Sequence, residues 1–568
     1  LFQMGSIRLL LFLAALTRAV VALNILVFLL GTTQPERATM EQVAQQLALR
    51  HHTVVTIKPI LIPEEPRLVK QKLHLVREKT MKNLLNKSMF QPLERAFDIA
   101  PWQAGYDYDD FLVPYYAAHN ASCSRIINSD LVDGLRKDNL DVALVYAGNP
   151  CQLAVAHVLG VPTVYFDLDG LTDETLVASG SPLDVQYPLS HCRLASQFSS
   201  PLVSRLAASA CFLSEIAAQS GLAPLASIVS RRYRQMDGPI TKQFREDYTF
   251  KKRFPSFPDV NTLKQRAALY FVNSDRLLEY ERALPPHVIP VGGIHMEHPK
   301  PLFAPWNETI AQSKEGTIVV SFGTLINNAK MSESQAAALY GALSQLTSYR
   351  IIWNIGAGLK LPGIDVDKAP AHMNIAAYLP QNDVLADKRT KLLITNGGMS
   401  SLMEALAYGV PVVGVPLYGV NKHNLDKVAH KGLGVVLQKS ELSQTNVLQA
   451  IRSVLDSAKY KTVAKDMARE LKARHGKGTV FERAMHYIEH VGRHHGAAFY
   501  RPKTDVFTPL RQLSIETTLL LLLILGGPLA LAFIILNKSL STLFSSRTTS
   551  IIAESLATPV KKTKTKAQ

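Results

Sequence analysis

The stretch that most constrains the fold covers residues 378–424, where short apolar runs alternate with glycine-rich turns. Residues 392–395 form an apolar run with charge before it and glycine after it, which is typical of a buried parallel strand. Gly397 and Gly398 allow the backbone to turn sharply and to approach a ligand closely. The pattern then predicts a helix over residues 399–408. A strand, a tight turn and a helix in this order indicate an α/β fold.

The same stretch predicts a nucleotide site. Free N–H groups and the positive end of the helix dipole would lie at Gly398, Ser400 and Ser401, where they can bind a phosphate. Glu404 lies one turn further on the same helical face, so its carboxylate could accept both hydroxyls of a ribose. A second apolar run, residues 412–417, leads to a loop that would face the same ligand, because open parallel sheets bind ligands at the carboxyl ends of their strands.

The order of residues in this stretch (YLPQND, then TNGG followed by Glu404, then GVP and GVNKHN) resembles the signature of the UDP-glycosyltransferases, which include the animal UDP-glucuronosyltransferases. Spacing alone would also fit other α/β proteins with glycine-rich turns. The resemblance covers about residues 24–502 and is loosest over residues 59–133. It implies a GT-B fold, in which two Rossmann-like domains face each other across a cleft. It also implies an inverting, metal-independent reaction in which an acceptor hydroxyl attacks the anomeric carbon as UDP leaves.

The resemblance implies a donor side that is mostly intact. Tyr378 lies where the family usually has Trp and still offers a ring that can stack on uracil, and Gln381 would bind the uracil edge. Glu404 would hold the ribose, and Asn424 matches the final Asn of the signature. The residues expected at the diphosphate are Ser321, Gly323, Thr324, Gly398, Ser400 and Ser401. For Ser321 and Thr324, hydrogen bonding within their own loop is the alternative role.

Three donor positions depart from the family pattern. Asn396 replaces the His of the family's HGG, and an amide can donate to a phosphate oxygen but carries no charge, so nucleotide binding should weaken. Val420 and Asn421 replace the DQ pair that normally holds the sugar hydroxyls. Because Val420 cannot accept a hydrogen bond, the donor sugar stays open between glucuronosyl and glucosyl.

The catalytic positions depart further. The family's general base is a His after the first strand, and counting back from His52 puts Glu36 at that position. A shift of the alignment by a residue or two would put Gln34 or Arg37 there instead. Tyr146 occupies the place of the Asp that usually partners the base. A buried Glu36 could act as the base, because desolvation raises the pKa of a carboxylate; a solvated loop glutamate is the alternative.

The ends of the chain predict a membrane-anchored protein. Residues 1–22 resemble a secretory signal, with an upstream extension of the first strand as the alternative. Residues 517–536 carry no charge and are long enough to cross a bilayer, although a core helix would have the same composition. The basic tail at 537–568 would then be cytosolic and the body would lie in the lumen of the endoplasmic reticulum. Sequons predict glycosylation at Asn86, Asn120 and Asn307.

Between the ends, the resemblance divides the chain into four parts. They are an acceptor-binding domain over residues 24–290, a linker over 291–312, a UDP-sugar-binding domain over 313–475, and a helix over 476–502 that returns to the N-terminal domain.

Composition narrows the function classes. The net charge is +16, but no basic block is interleaved with aromatic residues, so nucleic acid is an improbable partner. The four cysteines form no CxxC pair, which argues against a zinc site; one or two disulfides of open connectivity are expected if the chain is secreted. No GxxxxGK[ST] or GxGxxG motif follows a strand, which argues against P-loop and dinucleotide enzymes.

Two functions therefore remain. The first is a membrane-anchored UDP-glycosyltransferase that uses a UDP-sugar as co-substrate, needs no cofactor and acts on a small lipophilic acceptor. The second is a pseudoenzyme that keeps a nucleotide or ligand pocket on the same fold and has lost the His–Asp pair. Self-association stays open.

Overall fold

The computed structural model describes residues 22–29, 34–62, 75–103, 108–182, 187–190, 192, 200–356, 358–475, 479–502 and 515–556. The chain divides into two compact units. The first, which we call the body, comprises Leu1–Leu183, Leu189–His191 and Ser214–Gln512, and the second comprises Asp184–Pro188, Cys192–Leu213 and Leu513–Gln568.

The N-terminal half of the body is built on a seven-stranded parallel sheet. Its strands are β1 (Asn24–Phe28), β2 (Thr53–Pro59), β3 (Arg77–Met81), β4 (Val142–Tyr146), β5 (Thr163–Asp167), β6 (Leu269–Val272) and β7 (Val288–Pro290). The spatial order is β3-β2-β1-β4-β5-β6-β7, so the direction of winding reverses between β1 and β4. Every residue of β4 is buried, as expected for a parallel strand that helices cover on both faces.

The C-terminal half of the body is built on a six-stranded parallel sheet. Its strands are β8 (Gly316–Ser321), β9 (Tyr349–Asn354), β10 (Met373–Ala376), β11 (Thr390–Thr395), β12 (Val412–Gly414) and β13 (Gly434–Val436). The order is β10-β9-β8-β11-β12-β13, which reverses between β8 and β11. Open parallel sheets bind ligands at such reversals, so the loops after β1, β4, β8 and β11 are where a site is expected.

Helices cover both sheets. Those of the N-terminal half, together with one that belongs partly to the second unit, are α1 (Gln34–Leu49), α2 (Lys87–Ile99), α3 (Tyr108–Ile127), α4 (Leu131–Arg136), α5 (Pro150–Leu159), α6 (Asp173–Ala178), α7 (Pro201–Gln219), α8 (Ala223–Val229), α9 (Gly238–Glu246), α10 (Tyr248–Arg253) and α11 (Val260–Lys264), with a π-helix at Tyr233–Asp237. The remaining helices of the body are α12 (Trp306–Ala311), α13 (Glu333–Ser344), α14 (Gln381–Ala386), α15 (Met399–Tyr408), α16 (Asn421–His430), α17 (Gln444–Leu455), α18 (Ala458–His475) and α19 (Val480–Arg493). Helix α20 (Ile515–Leu556) belongs to the second unit.

Helix α19 follows the C-terminal sheet in sequence but packs on the N-terminal one. Its apolar face, which includes Met485 and Ile488, shares a core with Ile25 of β1. Its Glu489 accepts a hydrogen bond from Arg50 Nη1 at 3.0 Å and lies 3.3 Å from His52 Nε2. The chain therefore returns to its first domain, and α19 connects the C-terminal half back to the N-terminal sheet.

Two disulfides supply the connectivity that the sequence left open. Cys123–Cys151 joins α3 to the first turn of α5 in the body, with the Cα atoms 5.8 Å apart. Cys192–Cys211 lies within the second unit. All four cysteines belong to the first half of the chain, so the C-terminal sheet and its helices contain none.

Some element bounds differ from the sequence prediction. The strand predicted over residues 412–417 ends at Gly414, after which Val415 and Leu417 are buried as loop residues. The poorly periodic region 59–133 contains β3, α2, α3 and α4. Its helices were hidden because α2 and α3 each contain an internal proline, Pro92 and Pro114, which interrupts helical periodicity.

In the described part of the chain, one helix, Pro201–Gln219, is long and apolar enough to span a membrane. About a third of its most apolar segment is buried within the protein. The span predicted over residues 517–536 lies within the 42-residue helix α20, where several side chains of the first turns fall outside the description. Leu529 and Ile534 of α20 are mostly exposed. Residues 1–21 of the predicted signal and 557–568 of the predicted tail lie outside the described residues.

Candidate functional site

Two glycine turns flank the reversal point of the C-terminal sheet. Gly323 follows β8 with φ +81°, and Gly397 follows β11 with φ +90°, a backbone region that favours glycine. A Cβ atom at Gly397 would lie 2.5 Å from Leu425 Cγ, so a larger residue would also clash with α16. Both turns lie at the edge of the sheet where the sequence predicted the diphosphate; Gly323 is half-buried and Gly397 is buried.

Helix α15 begins directly after the second turn. Gly398 is its N-cap, and no side chain caps it among the described residues. Ser400 and Ser401 occupy the first turn and are half-buried. The first N–H groups of a helix have no partner within the helix, and this end carries the positive end of the dipole. The N–H of Gly398 itself is not free, because it donates to Asn396 Oδ1 at 3.3 Å. Gly409, at φ +68°, ends the helix at the predicted position.

Glu404, Gln381 and Ser401 form one hydrogen-bonded group. Gln381 Nε2 donates to Glu404 Oε2 at 2.6 Å and to Ser401 Oγ at 2.9 Å. His295 Nε2 lies 3.4 Å from Glu404 Oε1, and only 8% of Glu404 is exposed. The structure thus brings together the residues predicted at the uracil and the ribose. His295 was missed, although its place shortly after β7, in the predicted linker, was a usable signal.

The other predicted donor residues lie along the same edge. Tyr378 follows β10 and is 64% exposed, so its ring is available for stacking. Ser321 is the buried last residue of β8, whereas Thr324 is exposed in the loop that follows. Val420 is the N-cap of α16 and Asn421 is its first residue.

Asn396 and Asn421 bind each other and their own loops. Asn396 Nδ2 donates to Asn421 Oδ1 at 3.5 Å, and Asn396 Oδ1 accepts from the Gly398 N–H at 3.3 Å. Asn421 Oδ1 also accepts from the Tyr418 N–H at 3.2 Å. Both side chains are nearly fully buried. In this arrangement the two amides brace the turns after β11 and β12.

Asn424 connects the two halves of the body. Its Nδ2 donates to the Gly397 carbonyl at 3.3 Å and to the Asp169 carbonyl at 3.1 Å, and Asp169 belongs to the loop after β5. Gly170, which follows Asp169, has φ +112°, and a Cβ atom at this position would lie 2.8 Å from Met399 Cε. The loop after β5 therefore touches the first residue of α15.

Tyr146 lies at the reversal point of the N-terminal sheet, as the last residue of β4, and is buried. Its Oη donates to Asp169 Oδ2 at 2.6 Å. A Cβ at Gly148 would lie 2.5 Å from Tyr146 Cε1, so glycine makes room for the ring. Burial, and then the charges of Asp169, Tyr115 and Glu36, raise the pKa of Tyr146, which keeps the phenol protonated at neutral pH.

Glu36 is in the first turn of α1, and its charge is one of the smaller contributions that raise the pKa of Tyr146. Of the two alternatives, Arg37 is buried with its Nε 3.9 Å from Glu41 Oε1, and the side chain of Gln34 lies outside the described part. The structure gives Arg37 a partner along its own helix. Glu36 is the candidate whose charge acts on Tyr146.

The loop that carries Asp169 is held on several sides. Asp167 Oδ2 accepts from Thr172 Oγ1 at 2.6 Å and from Thr175 Oγ1, and the Leu168 carbonyl accepts from Asn273 Nδ2 at 3.0 Å. Burial raises the pKa of Asp167 to about 7, against the opposing effect of the threonine hydroxyls. Asp169 was missed by sequence reasoning, yet it follows a predicted strand at its carboxyl end, where ligands bind.

The sequons differ in accessibility. Asn86 and Asn307 are exposed. Asn120 is half-buried within α3, and its Oδ1 accepts a hydrogen bond from Gln243 Nε2 at 2.5 Å. Glycosylation at these three asparagines stays a prediction, and the accessibility favours Asn86 and Asn307.

Comparison with known proteins gives consistent matches. UDP-glucuronosyltransferase 2B15 of Homo sapiens is 26% identical over 499 residues, which is 85% of this chain and 87% of that protein. The 2-hydroxyacylsphingosine 1-beta-galactosyltransferase of Rattus norvegicus is 26% identical over 427 residues, with 75% and 72% covered. The chain thus resembles enzymes named for two different sugars.

Solved structures match the fold. The calicheamicin glycosyltransferase CalG4 superposes with a TM-score of 0.55 at 15% identity, covering 83% of this chain and 99% of that one. Os79 from O. sativa, solved in complex with UDP, gives 0.52 at 16% identity, with 82% and 100% covered. Two parallel sheets with these neighbours make the body a GT-B fold. A family model described as UDP-glucoronosyl and UDP-glucosyl transferase matches residues 239–547, more than half of the chain, and with the signature turns of the C-terminal sheet this shows that the chain belongs to that family.

Proposed function

We propose that this protein transfers a sugar from a UDP-sugar to a hydroxyl of a small lipophilic acceptor, with inversion and without a metal. The observation that carries the proposal is the contact that Asn424 makes between the carboxyl-end edges of the two sheets. Asn424 binds both the donor turn at Gly397 and the loop of Asp169, which contacts Tyr146. The glycine turn that would bind the nucleotide is therefore linked through Asn424 to the loop of Asp169.

On the donor side, the N-terminus of α15 and the turn at Gly397 would hold the diphosphate. Free N–H groups and the helix dipole stabilise negative charge, and this stabilisation grows as UDP leaves. Glu404 would accept the ribose hydroxyls, with Gln381 and His295 fixing its carboxylate. Tyr378 would stack on uracil from its exposed loop.

On the acceptor side, Glu36 would accept the proton. The acceptor O–H bond breaks as its oxygen forms the new bond to the anomeric carbon, the bond between that carbon and the UDP oxygen breaks, and the proton moves to Glu36. Tyr146, protonated and bound to Asp169, would hold the pocket wall in place beside Glu36. A positioned general base contributes about 10²–10⁴-fold to such a reaction.

Two features support a lipophilic acceptor. An apolar cluster under the loops of the N-terminal sheet includes Leu85, Phe97 and Ala118, with Tyr115 packed against it. A cavity of about 430 Å³ at the carboxyl ends of β2 and β3 is lined by Lys58, Ile60, Leu61, Thr80, Lys82, Asn83, Leu85 and Phe90. Its volume is in the range of small-molecule sites.

The test is turnover by the full-length protein with a panel of UDP-sugars and lipophilic alcohols and phenols. We expect release of UDP that depends on the acceptor, together with a glycosylated product. Wild-type protein that binds UDP but consumes no UDP-sugar with any acceptor would instead support the pseudoenzyme alternative, a nucleotide- or ligand-binding protein on the same fold.

We also propose a single-pass protein of the endoplasmic reticulum membrane with a lumenal body. The proposal is supported by the uncharged run 517–536 within α20, by the lysines that follow it in sequence and by the exposed sequons at Asn86 and Asn307. Protease added to sealed microsomes should remove only about 3 kDa, the tail beyond a span of this length. Digestion of the whole protein in sealed vesicles would contradict this topology.

A further inference from the structure

We propose that Trp102, from the N-terminal half of the body, is a positioning residue for the diphosphate of the donor, a proposal that rests on the UDP-sugar transfer proposed above. Trp102 follows α2, and only 2% of it is exposed. Its ring belongs to the apolar core of the C-terminal half, together with Phe322 and Ile326. A side chain of one half is therefore built into the other half, at the loop that contains the glycine turn of Gly323.

Trp102 contacts both ends of the loop after β8, residues 322–327, which we call the diphosphate loop. At its start, the rings of Trp102 and Phe322 lie edge to face, with their centroids 5.2 Å apart. At its end, Trp102 Nε1 donates to the Asn327 carbonyl at 3.0 Å. A buried indole N–H needs an acceptor, so the ring pair and this hydrogen bond together fix the side chain in one orientation. One residue thus holds the loop at both ends.

Neighbouring hydrogen bonds fix the segment that carries Trp102. The Trp102 carbonyl accepts from Gln335 Nε2, on α13, at 3.0 Å. Asp98, near the end of α2, accepts from Asn327 Nδ2 through its Oδ1 at 2.8 Å. The end of α2 is therefore bound to the C-terminal half through backbone and side chains, and Trp102 is the member of this segment that is buried in the core.

The middle of the diphosphate loop carries two of the residues proposed at the diphosphate, Gly323 and Thr324. Thr324 is exposed and Gly323 is half-buried, whereas Phe322 and Ile326 on either side are buried. Gly323 has φ +81°, and a glycine gives the backbone many alternative conformations unless its neighbours are anchored. A loop that is already held at both ends loses less conformational entropy when it binds a ligand. Trp102 would therefore strengthen diphosphate binding without touching the diphosphate.

The residues proposed for uracil and ribose lie on other segments. Tyr378 follows β10, Gln381 begins α14 and Glu404 lies on α15. The hydrogen bonds and the ring pair described for Trp102 involve the diphosphate loop and α13, which are separate from these three segments. A positioning role at the diphosphate thus predicts that loss of Trp102 weakens the binding of UDP and spares the binding of uridine. A general loss of folded structure would weaken both.

Calorimetry on the full-length protein with UDP and with uridine tests the proposal. Trp102→Leu removes both the ring and the N–H, and it should weaken UDP binding about tenfold and leave the affinity for uridine unchanged, because one aromatic pair and one buried hydrogen bond are lost. Trp102→Phe keeps a ring and loses the N–H, so it should weaken UDP binding by about threefold. The melting temperature of each variant shows whether it is folded.

The matched control is Phe271→Leu, which removes a fully buried ring that pairs with Phe166 at 5.0 Å in the core of the N-terminal sheet. It should lower the melting temperature and leave both affinities unchanged. The proposal is overturned if the folded Trp102 variants bind UDP as tightly as the wild type, if they lose uridine affinity to the same extent, or if Phe271→Leu weakens UDP binding equally. Failure of the wild type to bind UDP would overturn the donor site itself, and this proposal with it. A selective loss of UDP affinity in a protein that transfers no sugar would leave the positioning role standing and refute transfer alone.

Discussion

The two sheet edges that Asn424 connects are built by different means. We call the edge with Gly397 and the start of α15 the donor edge, and the edge with Tyr146 and Asp169 the acceptor edge. On the donor edge, the turn at Gly397, the start of α15 and the residues Gln381 and Glu404 come from one continuous stretch. On the acceptor edge, Glu36 lies in the first turn of α1, Tyr146 ends β4 and Asp169 lies in the loop after β5, so they come from three separate segments. The donor edge relies on backbone geometry, whereas the acceptor edge relies on individual side chains.

The difference predicts which departures from the family pattern can be tolerated. Backbone N–H groups at a helix start persist whatever side chain lies beside them, so Asn396 and Val420 change the details of the donor edge and leave its framework intact. A proton acceptor is a single side chain, and its replacement changes the chemistry directly. The catalytic departures are therefore expected to matter more than the donor departures.

The largest expected effect concerns the disulfide Cys123–Cys151, which lies within the N-terminal half of the body. Cys123→Ala with Cys151→Ala should lower the free energy of unfolding by about 3 kcal/mol, because a loop of this length is no longer constrained in the unfolded chain. Urea titration measures the loss. The UDP affinity of the folded double variant should stay unchanged. The matched control is the double variant Cys192→Ala with Cys211→Ala, which removes the disulfide of the second unit. A loss of UDP affinity in the folded Cys123→Ala, Cys151→Ala variant would show that the two halves of the body are not independent.

The next effect concerns the acceptor edge. Glu36→Gln should lower the transfer rate about a hundredfold or more, because the amide cannot accept the acceptor's proton. Steady-state kinetics at saturating UDP-sugar measure it. Glu333→Gln, an exposed glutamate in the first turn of α13, is the control and should keep the wild-type rate. A Glu36→Gln protein as fast as the parent would make Glu36 a bystander.

The same edge allows a gain of function. Glu36→His together with Tyr146→Asp would restore the usual pair of the family, and the rate should rise because an imidazole has a pKa closer to neutral than a carboxylate. Kinetics on the double variant test this, with the melting temperature showing whether the fold accepts the lost phenol. A well-folded double variant that is slower than the parent would show that this acceptor edge works by another arrangement.

The donor edge should respond less. Glu404→Ala removes a carboxylate that binds Gln381 and would bind the ribose, which should cost roughly 1.5 kcal/mol or more, about a tenfold loss of UDP affinity. Calorimetry measures the loss, and the control is Glu470→Ala on an exposed part of α18. UDP binding at wild-type strength in Glu404→Ala would move the ribose site elsewhere.

The smallest effect concerns the stacking ring. Tyr378→Trp restores the ring that the family usually has, and the larger face should strengthen UDP binding by a few-fold, a fraction of the roughly 1–3 kcal/mol that base stacking contributes. Tyr378→Ala should weaken it. The two changes in opposite directions, measured by calorimetry, identify stacking; no change in either variant would place the uracil away from the exposed Tyr378 loop.

The sequence by itself determined the fold class and the strand, turn and helix around Gly397. The apolar runs, the glycine pair and the helix start lie within a few dozen residues, and local backbone preferences suffice to predict them. It also put Glu36 and Tyr146 forward as a pair, through the resemblance. Asp169, His295 and the contacts of Asn424 were decided only by the tertiary structure. These depend on how parallel strands order in space, and strand order is set by packing between distant segments, which a local pattern does not record.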